Sequence, residues 1–376
     1  MKIVSVRAHV LEAALSEPFA YSRAWYAKRT SLIVEIETDQ GLVGWGECYG
    51  PARINAAVVR ELGAFLIGQD ALRSEFLWHE IYARYRDHGQ KGSIIQGLSG
   101  IDIALWDLKG KFLGQPVHRL MGGPIRSKIM AYATGLYRRE SGDPTVYLAE
   151  EAARYCAQGF SAVKLKVGFG VEQDAQVTRA VREAIGAKTA LMIDANHAYD
   201  AVAAIQLGRR IEVLDIGWLE EPVPPEDVEG HLQVESALSI PIAGGECEFT
   251  RFGFRALLER RAVDIVQPDT CAAGGLSECK KIADMAAVHG VRFVPHVWGT
   301  GVVLLSRKPP RSCEHSAWSD AAGFCRRGDS NLPRRARWIS SMRASRTPGS
   351  EPMRQTWPRY SAMPTGSNHL KTTVLG

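Results

Sequence analysis

Paired cysteines are what this sequence lacks most clearly. Its seven cysteines are scattered along the chain, and no two of them form a C-x-x-C motif. An odd, dispersed set indicates reduced thiols and argues against a disulfide-stapled scaffold or a zinc ribbon. The cysteines therefore favour a cytoplasmic location. They occupy positions 48, 156, 247, 271, 279, 313 and 325.

Long uncharged apolar runs are also missing. Residues 1–20 already include Arg7, His9, Glu12 and Glu17, which is unlike the apolar centre of a signal peptide. No run in the chain reaches the roughly 20 apolar residues that a membrane helix needs. We therefore expect a soluble protein with no membrane partner.

Acidic residues are scarce only near the C-terminus. The formal net charge is +5, but residues 307–376 hold 13 Lys and Arg against 4 Asp and Glu, which leaves 33 against 37 in residues 1–306. A basic excess confined to one segment is not the footprint of nucleic-acid binding, so we expect no nucleic-acid partner. The segment 307–376 is also rich in Arg, Ser and Pro without any hydrophobic period, which predicts disorder.

The remaining sequence predicts two domains. Residues 1–123 begin with strand-like segments over 1–60 and continue with a helical pattern over 61–121, which indicates an α+β domain. From 124 to 306, strands and amphipathic helices alternate, as in an α/β protein of the TIM-like barrel type. VVLL (302–305) is the only strand-like run after the seventh strand, so we expect the barrel to be incomplete at its C-terminal end. The predicted strands lie near 130–134, 161–167, 190–194, 216–220, 241–245, 263–267 and 291–295, with helices near 145–158, 171–185, 200–213, 226–238, 249–260 and 277–289.

Three carboxylates end three consecutive predicted strands. Asp194, Glu220 and Glu246 close the runs LMID, IGWLE and PIAGGE, and each follows the previous one by 26 residues. Because the carboxyl ends of barrel strands meet at one face, these side chains should converge. Such a cluster repels itself unless a divalent cation neutralises it, and all-oxygen ligation favours Mg²⁺, with Mn²⁺ as an alternative. The alternative interpretation is three unrelated, solvated acids at loop starts.

Two lysines share one face of a predicted strand. In VKLKVG, Lys164 and Lys166 are two positions apart, so both point into the barrel while Leu165 points towards the helices. A lysine beside another cation has a lowered pKa, which makes this pair a plausible source of a general base. The alternative is an edge strand with solvated lysines.

An acid and a histidine end two further predicted strands. Asp269 closes DIVQPD and His296 closes RFVPH, and a carboxylate beside an imidazole fixes its tautomer and raises its basicity. The lysines and His296 would then lie on opposite sides of the metal. That arrangement suits removal of a proton α to a carboxylate, with the metal stabilising the enediolate.

Substrate contacts are predicted mainly in the first domain. The segment YSRAWY (21–26) reads as a loop with aromatic walls and Arg23, which suits a hydroxylated ligand with a distal carboxylate. The alternative is a hairpin that packs its aromatic side chains on its own domain. Further substrate-binding candidates are Tyr137, Asn196 and Trp298.

The motifs K-L-K, D-A-N, E-E-P, G-G-E, Q-P-D and P-H-V-W-G-T-G, in this order and spacing, resemble the mandelate racemase subgroup of the enolase superfamily. The resemblance covers residues 1–302. It implies a capping α+β domain over a (β/α)7β barrel, a bound Mg²⁺, a sugar-acid substrate and a homo-oligomer if the barrel closes. It also implies site roles: metal ligands Asp194, Glu220 and Glu246, one base Lys166 with Lys164 beside it, and a second base His296 with Asp269.

A narrower resemblance concerns the reaction. GWGECYGPARINAAVV (44–59), RDHGQKG (86–92) and VPHVWGTGV (294–302) resemble the D-galactarolactone cycloisomerases. It implies ring opening of D-galactaro-1,4-lactone by β-elimination to a 3-deoxy-2-keto hexarate. The alternatives are dehydration of an open-chain aldarate or aldonate, racemisation, and a non-catalytic product with a disrupted C-terminus. The subgroup's acidic group on strand eight has no counterpart here, because Glu314 lies in unmatched sequence.

Overall fold

The N-terminal domain begins with two long antiparallel strands. β1 (Ile3–Tyr21) pairs with β2 (Ala24–Thr38), and β3 (Val43–Cys48) follows after a turn at Gly41, which has a φ of 72°. The segment 21–26, predicted as a loop, is the tip of the β1–β2 hairpin, since Tyr21 pairs with Ala24. The computed structural model describes residues 1–123 and 129–300, together with the backbone of 371–374.

Helices cover one face of this three-stranded sheet. α1 (Ala52–Leu66) begins eight residues before the predicted end of the strand region, because buried residues at three- and four-residue spacing already start at Ala52. It is followed by α2 (Ser74–Tyr85), α3 (Ser93–Leu113) and the short α4 (Val117–Leu120). α3 packs so closely on β3 that a Cβ at Gly46 would lie 2.0 Å from the carbonyl oxygen of Gly100.

The second domain alternates strands and helices as predicted, and the α/β barrel-type fold with an N-terminal α+β capping domain is confirmed. Its seven parallel strands are neighbours in sequence order. They are β4 (Ala131–Thr134), β5 (Ala162–Lys166), β6 (Ala190–Asp194), β7 (Ile216–Glu220), β8 (Ile242–Gly244), β9 (Ile265–Val266) and β10 (Arg292–Phe293). The helices between them are α5 (Pro144–Ala157), α6 (Val171–Ile185), α7 (Ala201–Ile211), α8 (Val228–Ala237), α9 (Thr250–Glu259) and α10 (Gly275–Val288).

Apolar side chains lie on both faces of the parallel sheet. The outer face packs against the helices, and Leu165 is part of that core, as the alternation of β5 predicts. A separate inner cluster fills the curled side of the sheet. This interior packing places the polar strand ends above a filled core, which is the arrangement of a barrel and not of a pore. The inner cluster consists of Tyr132, Ala162, Met192, Trp218, Ala243, Ile265 and Val294.

The edge of the sheet beside β4 is occupied by a strand from the tail. β11 (Lys371–Val374) pairs antiparallel with β4, with Lys371 opposite Thr134 and Val374 opposite Ala131. A closed (β/α)8 barrel would have a parallel neighbour at this position. Within the described residues, the recorded strand order runs from β10 at one edge to β11 at the other. The strand-like run 302–305 and the rest of the predicted disordered segment 307–376 lie outside the described residues.

Specific hydrogen bonds join the two domains. Trp78 Nε1 donates to the carbonyl oxygen of Gly274 at 2.7 Å. Ser277, in the first turn of α10, donates from N and Oγ to the buried carboxylate of Asp102 on α3, at 2.9 and 2.6 Å. These contacts fix the capping domain against the barrel helix that follows β9. Among the described helices, none combines the length and hydrophobicity that crossing a bilayer requires.

Candidate active site

The structure brings the three strand-end carboxylates together. Asp194 is the last residue of β6 and Glu220 the last of β7, whereas Glu246 follows β8 by two residues. One carboxylate oxygen from each lies within 4.8 Å of the others. All three side chains are buried, with 0%, 1% and 8% of their surfaces exposed. Since an unneutralised cluster of buried carboxylates is costly, this arrangement requires nearby positive charge.

The donor set fits a hard divalent cation. The three carboxylates supply only oxygen, which is the ligand that Mg²⁺ prefers. Glu246 Oε2 is buried, and its polar neighbour is His296 Nε2 at 3.0 Å, so this oxygen is not committed to a backbone donor within the described residues. Glu220 Oε2 accepts hydrogen bonds from Trp218 Nε1 and Gln267 Nε2, both at 2.9 Å, which orient this carboxylate from behind. A carboxylate triad able to hold a metal is therefore present.

Both predicted lysines point at this triad. Lys164 donates to Glu220, and its Nζ lies 3.1 Å from Asp194 Oδ2. Lys166 donates to Asp194 and, at 2.8 Å, to Asn196 Oδ1. Lys164 and Lys166 have only 2% and 6% of their surfaces exposed, so neither belongs to a solvated edge strand.

The pKa of Lys166 moves in the direction opposite to the sequence-based expectation. Burial is the largest single effect and lowers this pKa, but Asp194, Tyr137 and Glu246 together raise it by more, so the net pKa lies above its ordinary value. Lys164 does lower the pKa of Lys166, as expected, but this contribution is smaller than that of the anion. The lysine pair therefore balances the carboxylates as charged ammonium groups. The expectation of a lowered pKa took account of the neighbouring Lys164 but not of the carboxylates that face Lys166.

A histidine stands on the other side of the triad. His296 Nδ1 and Asp269 Oδ2 are 2.8 Å apart, and the two residues form a parallel bridge between the chain segments that follow β9 and β10. His296 Nε2 lies 3.0 Å from Glu246 Oε2. Burial lowers the pKa of His296, but Glu246 and Asp269 together raise it by more, so the net pKa of the imidazole lies above its ordinary value. The structure thus places Lys166 and His296 at opposite ends of the carboxylate cluster.

Aromatic side chains from both domains meet beside this cluster. Phe19 and Tyr26 on the β1–β2 hairpin contact the barrel residues Tyr137 and Trp298, with ring centroids 4.5–6.2 Å apart. The hairpin therefore does not pack its aromatic rings only on its own domain. We call these four aromatic side chains the aromatic wall. Lys166 Nζ, the proposed base, lies 5.7 Å from the centroid of the Tyr137 ring in this wall.

The cation that stacks on these aromatic rings is Arg29, whereas the predicted Arg23 remains a candidate for substrate contact. Arg23 is exposed and donates to the carbonyl oxygen of His197. Arg29, on β2, is half-buried, and its Cζ stacks 4.1 Å from the centroid of the Trp298 ring. Burial lowers the pKa of Arg29, although Tyr137 and Tyr26 oppose this effect. Nothing in the sequence alone pointed to Arg29. Its position beside Trp298 follows from the pairing of β1 with β2, which places Arg29 on the hairpin near the barrel.

Sequence reasoning also missed three residues that frame the site. Glu47, in the GWGE run, accepts hydrogen bonds from Thr300 N and Oγ1 at 2.9 and 2.7 Å, and so holds the segment after His296. The Tyr49 ring meets that of His296 edge-on at 5.9 Å. Glu221, next to Glu220, is buried, and among the described residues the Cys247 thiol is the donor beside its carboxylate. Glu47 and Tyr49 flank Cys48, at the end of β3 nearest the barrel.

Comparisons with known proteins agree with this geometry. Residues 4–122 match the mandelate racemase / muconate lactonizing enzyme N-terminal domain, and residues 147–307 match the enolase C-terminal domain-like family. D-galactarolactone cycloisomerase of Agrobacterium fabrum is 51% identical over 304 residues, which cover 81% of this chain and 80% of that protein. Arabinonate dehydratase of Saccharolobus solfataricus is 37% identical over 288 residues, or 76% of this chain and 77% of that protein.

A solved structure shows the same architecture. The crystal structure of the 3,6-anhydro-D-galactonate cycloisomerase from Zobellia galactanivorans superposes with a TM-score of 0.76 at 44% sequence identity. The match covers 81% of this chain and 83% of that one.

Proposed function

The chain belongs to the mandelate racemase / muconate lactonizing enzyme family of the enolase superfamily, and from that premise we propose that it opens the ring of D-galactaro-1,4-lactone by β-elimination. The product is a 3-deoxy-2-keto hexarate. The observation that carries the proposal is the placement of two bases, Lys166 and His296, at opposite ends of a buried carboxylate triad. Similarity to a D-galactarolactone cycloisomerase supports the choice of substrate.

The reaction needs one proton removed and one returned. The C–H bond α to the free carboxylate breaks, and its electron pair forms a double bond while the ring oxygen leaves from the β-carbon as the new carboxylate. The resulting enol then gives up its hydroxyl proton while the former β-carbon takes a proton, which yields the keto acid, and no water is lost. Lys166 and His296 would divide these two proton transfers, since each can hold or release a proton at a nitrogen that faces the cluster.

Asp194, Glu220 and Glu246 would hold the metal. Mg²⁺ bound there would offset the negative charge that develops on the substrate carboxylate as the α-proton leaves. Asn196 and Asp194 hold the Lys166 ammonium in place. Asp269 accepts from His296 Nδ1, which leaves Nε2 directed towards Glu246 and the cluster.

The aromatic wall and Arg29 would recognise the rest of the sugar acid. Tyr137 and Trp298 offer flat apolar surfaces for the carbon skeleton, and Tyr26 adds a phenol that can bond a hydroxyl group. Arg29, held flat on Trp298, presents a planar donor suited to a carboxyl oxygen. The same wall would accept an open-chain aldarate or aldonate, and similarity to a dehydratase supports that second reaction.

A paired assay separates the two reactions. The protein with Mg²⁺ is incubated with D-galactaro-1,4-lactone or with galactarate, and 2-keto acid is followed by semicarbazone absorbance. We expect keto acid from the lactone, with the mass of the starting lactone and one solvent deuterium in D2O. Keto acid formed from galactarate alone, one water lighter than its substrate, would identify a dehydratase instead.

A further inference from the structure

A second set of ligand-type side chains lies beside the carboxylate triad. His197, Glu221 and Cys247 follow Asp194, Glu220 and Glu246 by three, one and one positions in the chain. One potential ligand atom from each of the three lies within 4.8 Å of the other two. None of these three residues has a role in the proton transfers proposed above.

Glu221 provides an independent indication of a missing partner. Only 2% of its surface is exposed, and within the described residues its carboxylate has no hydrogen-bond partner apart from the Cys247 thiol of the same set, which is a weak donor. Leaving a buried carboxyl group without a partner costs several kcal/mol by order of magnitude, so such groups normally have one. Its neighbours in the set, a thiol and an imidazole, are the groups that accompany carboxylates in transition-metal sites.

The backbone is strained where these side chains are presented. His197 has a φ of 50° and Glu221 a φ of 43°, a left-handed conformation that non-glycine residues seldom adopt. The two residues are tied together, because the His197 N–H donates to the Glu221 carbonyl oxygen at 2.7 Å. Strain of this kind, roughly 1 kcal/mol or more per residue, is typically retained at functional positions.

We propose that His197, Glu221 and Cys247 form a second cation site, which takes a thiophilic divalent ion of the Zn²⁺ class. One nitrogen, one oxygen and one sulfur with a position left open is a donor set typical of Zn²⁺, whereas the all-oxygen triad favours Mg²⁺. Bond lengths of about 2.0–2.3 Å require ligand atoms about 3.5 Å apart, so the set must contract by roughly 1 Å at its widest. His197 and Cys247 are half-buried, which gives an ion access from solvent.

The proposal goes beyond the sugar-acid chemistry and does not depend on it. Its test therefore measures ion binding and not turnover. The full-length protein is saturated with Mg²⁺ to fill the oxygen triad and then titrated with Co²⁺, a coloured substitute for Zn²⁺. We expect one Co²⁺ per chain, with a thiolate-to-cobalt charge-transfer band, and competition by Zn²⁺ but not by further Mg²⁺.

Variants decide which residues bind the ion. Cys247→Ser should abolish the charge-transfer band, and His197→Asn and Glu221→Gln should each weaken binding at least about tenfold. Cys156→Ser and His289→Asn, which alter a half-buried thiol and imidazole outside the site, should leave the titration unchanged. Thermal melts show whether each variant is folded.

Two results would overturn the proposal. One is a Mg²⁺-saturated wild-type protein that shows no cobalt–thiolate band. The other is a band that persists in Cys247→Ser or disappears in Cys156→Ser. If Cys247→Ser does not fold, His197→Asn and Glu221→Gln still test the site, because both retain the thiol. Unchanged Co²⁺ affinity in these two variants would then contradict the proposal.

Discussion

Lys164 and Lys166 lie on the same strand face, but their surroundings differ. Lys164 contacts two carboxylates of the triad and is almost completely buried. Lys166 contacts one carboxylate and an amide, and it also faces the ring of Tyr137 in the aromatic wall. We therefore propose that Lys166 is the lysine that reaches the substrate and that Lys164 balances the charge of Asp194 and Glu220.

Glu220 is the triad member whose removal tests the metal site best, because its carboxylate is already oriented by Trp218 and Gln267. Glu220→Gln keeps the volume but removes the charge, so we expect Mg²⁺ to bind at least about tenfold more weakly, with activity lost in parallel. Isothermal titration calorimetry measures the affinity. The exposed Glu226→Gln is the matched control. Unchanged Mg²⁺ affinity in Glu220→Gln would exclude this triad as the metal site.

Lys166 and His296 should divide the proton transfers. In Lys166→Ala or His296→Asn, we expect turnover to fall by roughly 10²–10⁴, the usual contribution of a positioned acid or base. The variant that keeps the abstracting base should still exchange the α-proton of the substrate in D2O, which proton NMR detects. If both variants retain wild-type turnover, neither residue is a catalytic base.

Arg29 and Arg23 provide a direct comparison of the two cations near the hairpin. Arg29→Gln should raise KM for a dicarboxylic sugar acid or its lactone by about 10- to 100-fold, because a charge-assisted hydrogen bond worth roughly 1.5–3 kcal/mol is lost. Arg23→Gln serves as the control, since Arg23 is exposed and bonded to backbone. Equal effects of the two substitutions on KM would contradict the assignment of Arg29.

At the scale of elements, the contact between α3 and α10 includes one buried acid, Asp102. Burial raises the pKa of Asp102 to about 7, although both hydrogen bonds from Ser277 oppose the shift. The approach is tight as well, because a Cβ at Gly275 would lie 2.4 Å from Asp102 Oδ2, and Gly275 has a φ of 85°. The two domains are thus joined through a carboxyl group that is close to its titration point at neutral pH.

The raised pKa of Asp102 makes the stability of the protein depend on pH. The folded state keeps a proton that the unfolded chain loses above about pH 4, so this contribution to stability falls as pH rises from about 4 to about 7 and then levels off. Asp102→Asn should remove that fall, which amounts to roughly 2–4 kcal/mol. Urea unfolding at pH 5 and pH 8 measures the difference. A wild-type pH dependence retained in Asp102→Asn would show that another group causes it.

Strand and helix positions in the barrel could be predicted well because each unit repeats a simple pattern. The third predicted barrel strand, near 190–194, is observed as β6 (Ala190–Asp194), and the 26-residue spacing of the acids correctly indicated neighbouring strand ends. The boundary at α1 was wrong because ARINAAVV follows a strand without a strong N-cap, since Pro51 provides no side-chain cap. Arg29 could not be predicted, since its position depends on pairing between β1 and β2.

For the whole molecule, β11 is the least expected element. It supplies the hydrogen-bonding partner on the side of β4 that faces away from β5. Consecutive N–H groups in a strand point to opposite sides, so proline at both Thr372 and Thr373 must remove at least one donor that faces β4.

The double variant Thr372→Pro/Thr373→Pro should therefore lower the melting temperature and increase concentration-dependent aggregation, which differential scanning fluorimetry and light scattering measure. Thr372→Val/Thr373→Val, which keeps both N–H groups, should behave like the parent. A proline variant with the stability and solubility of the parent would mean that the β4–β11 pairing contributes nothing to the fold.

The pairing of β4 with β11 also has a consequence for the order of folding. Neighbouring parallel strands join residues only 22 to 30 positions apart, whereas Thr134 and Lys371 are 237 positions apart. Closing the longer loop costs about 2 kcal/mol more chain entropy than closing a 28-residue one. The parallel ladder can therefore assemble progressively, and the β4 edge is protected last. During synthesis and refolding, that edge is the surface on which a chaperone or a second nascent chain would compete with β11.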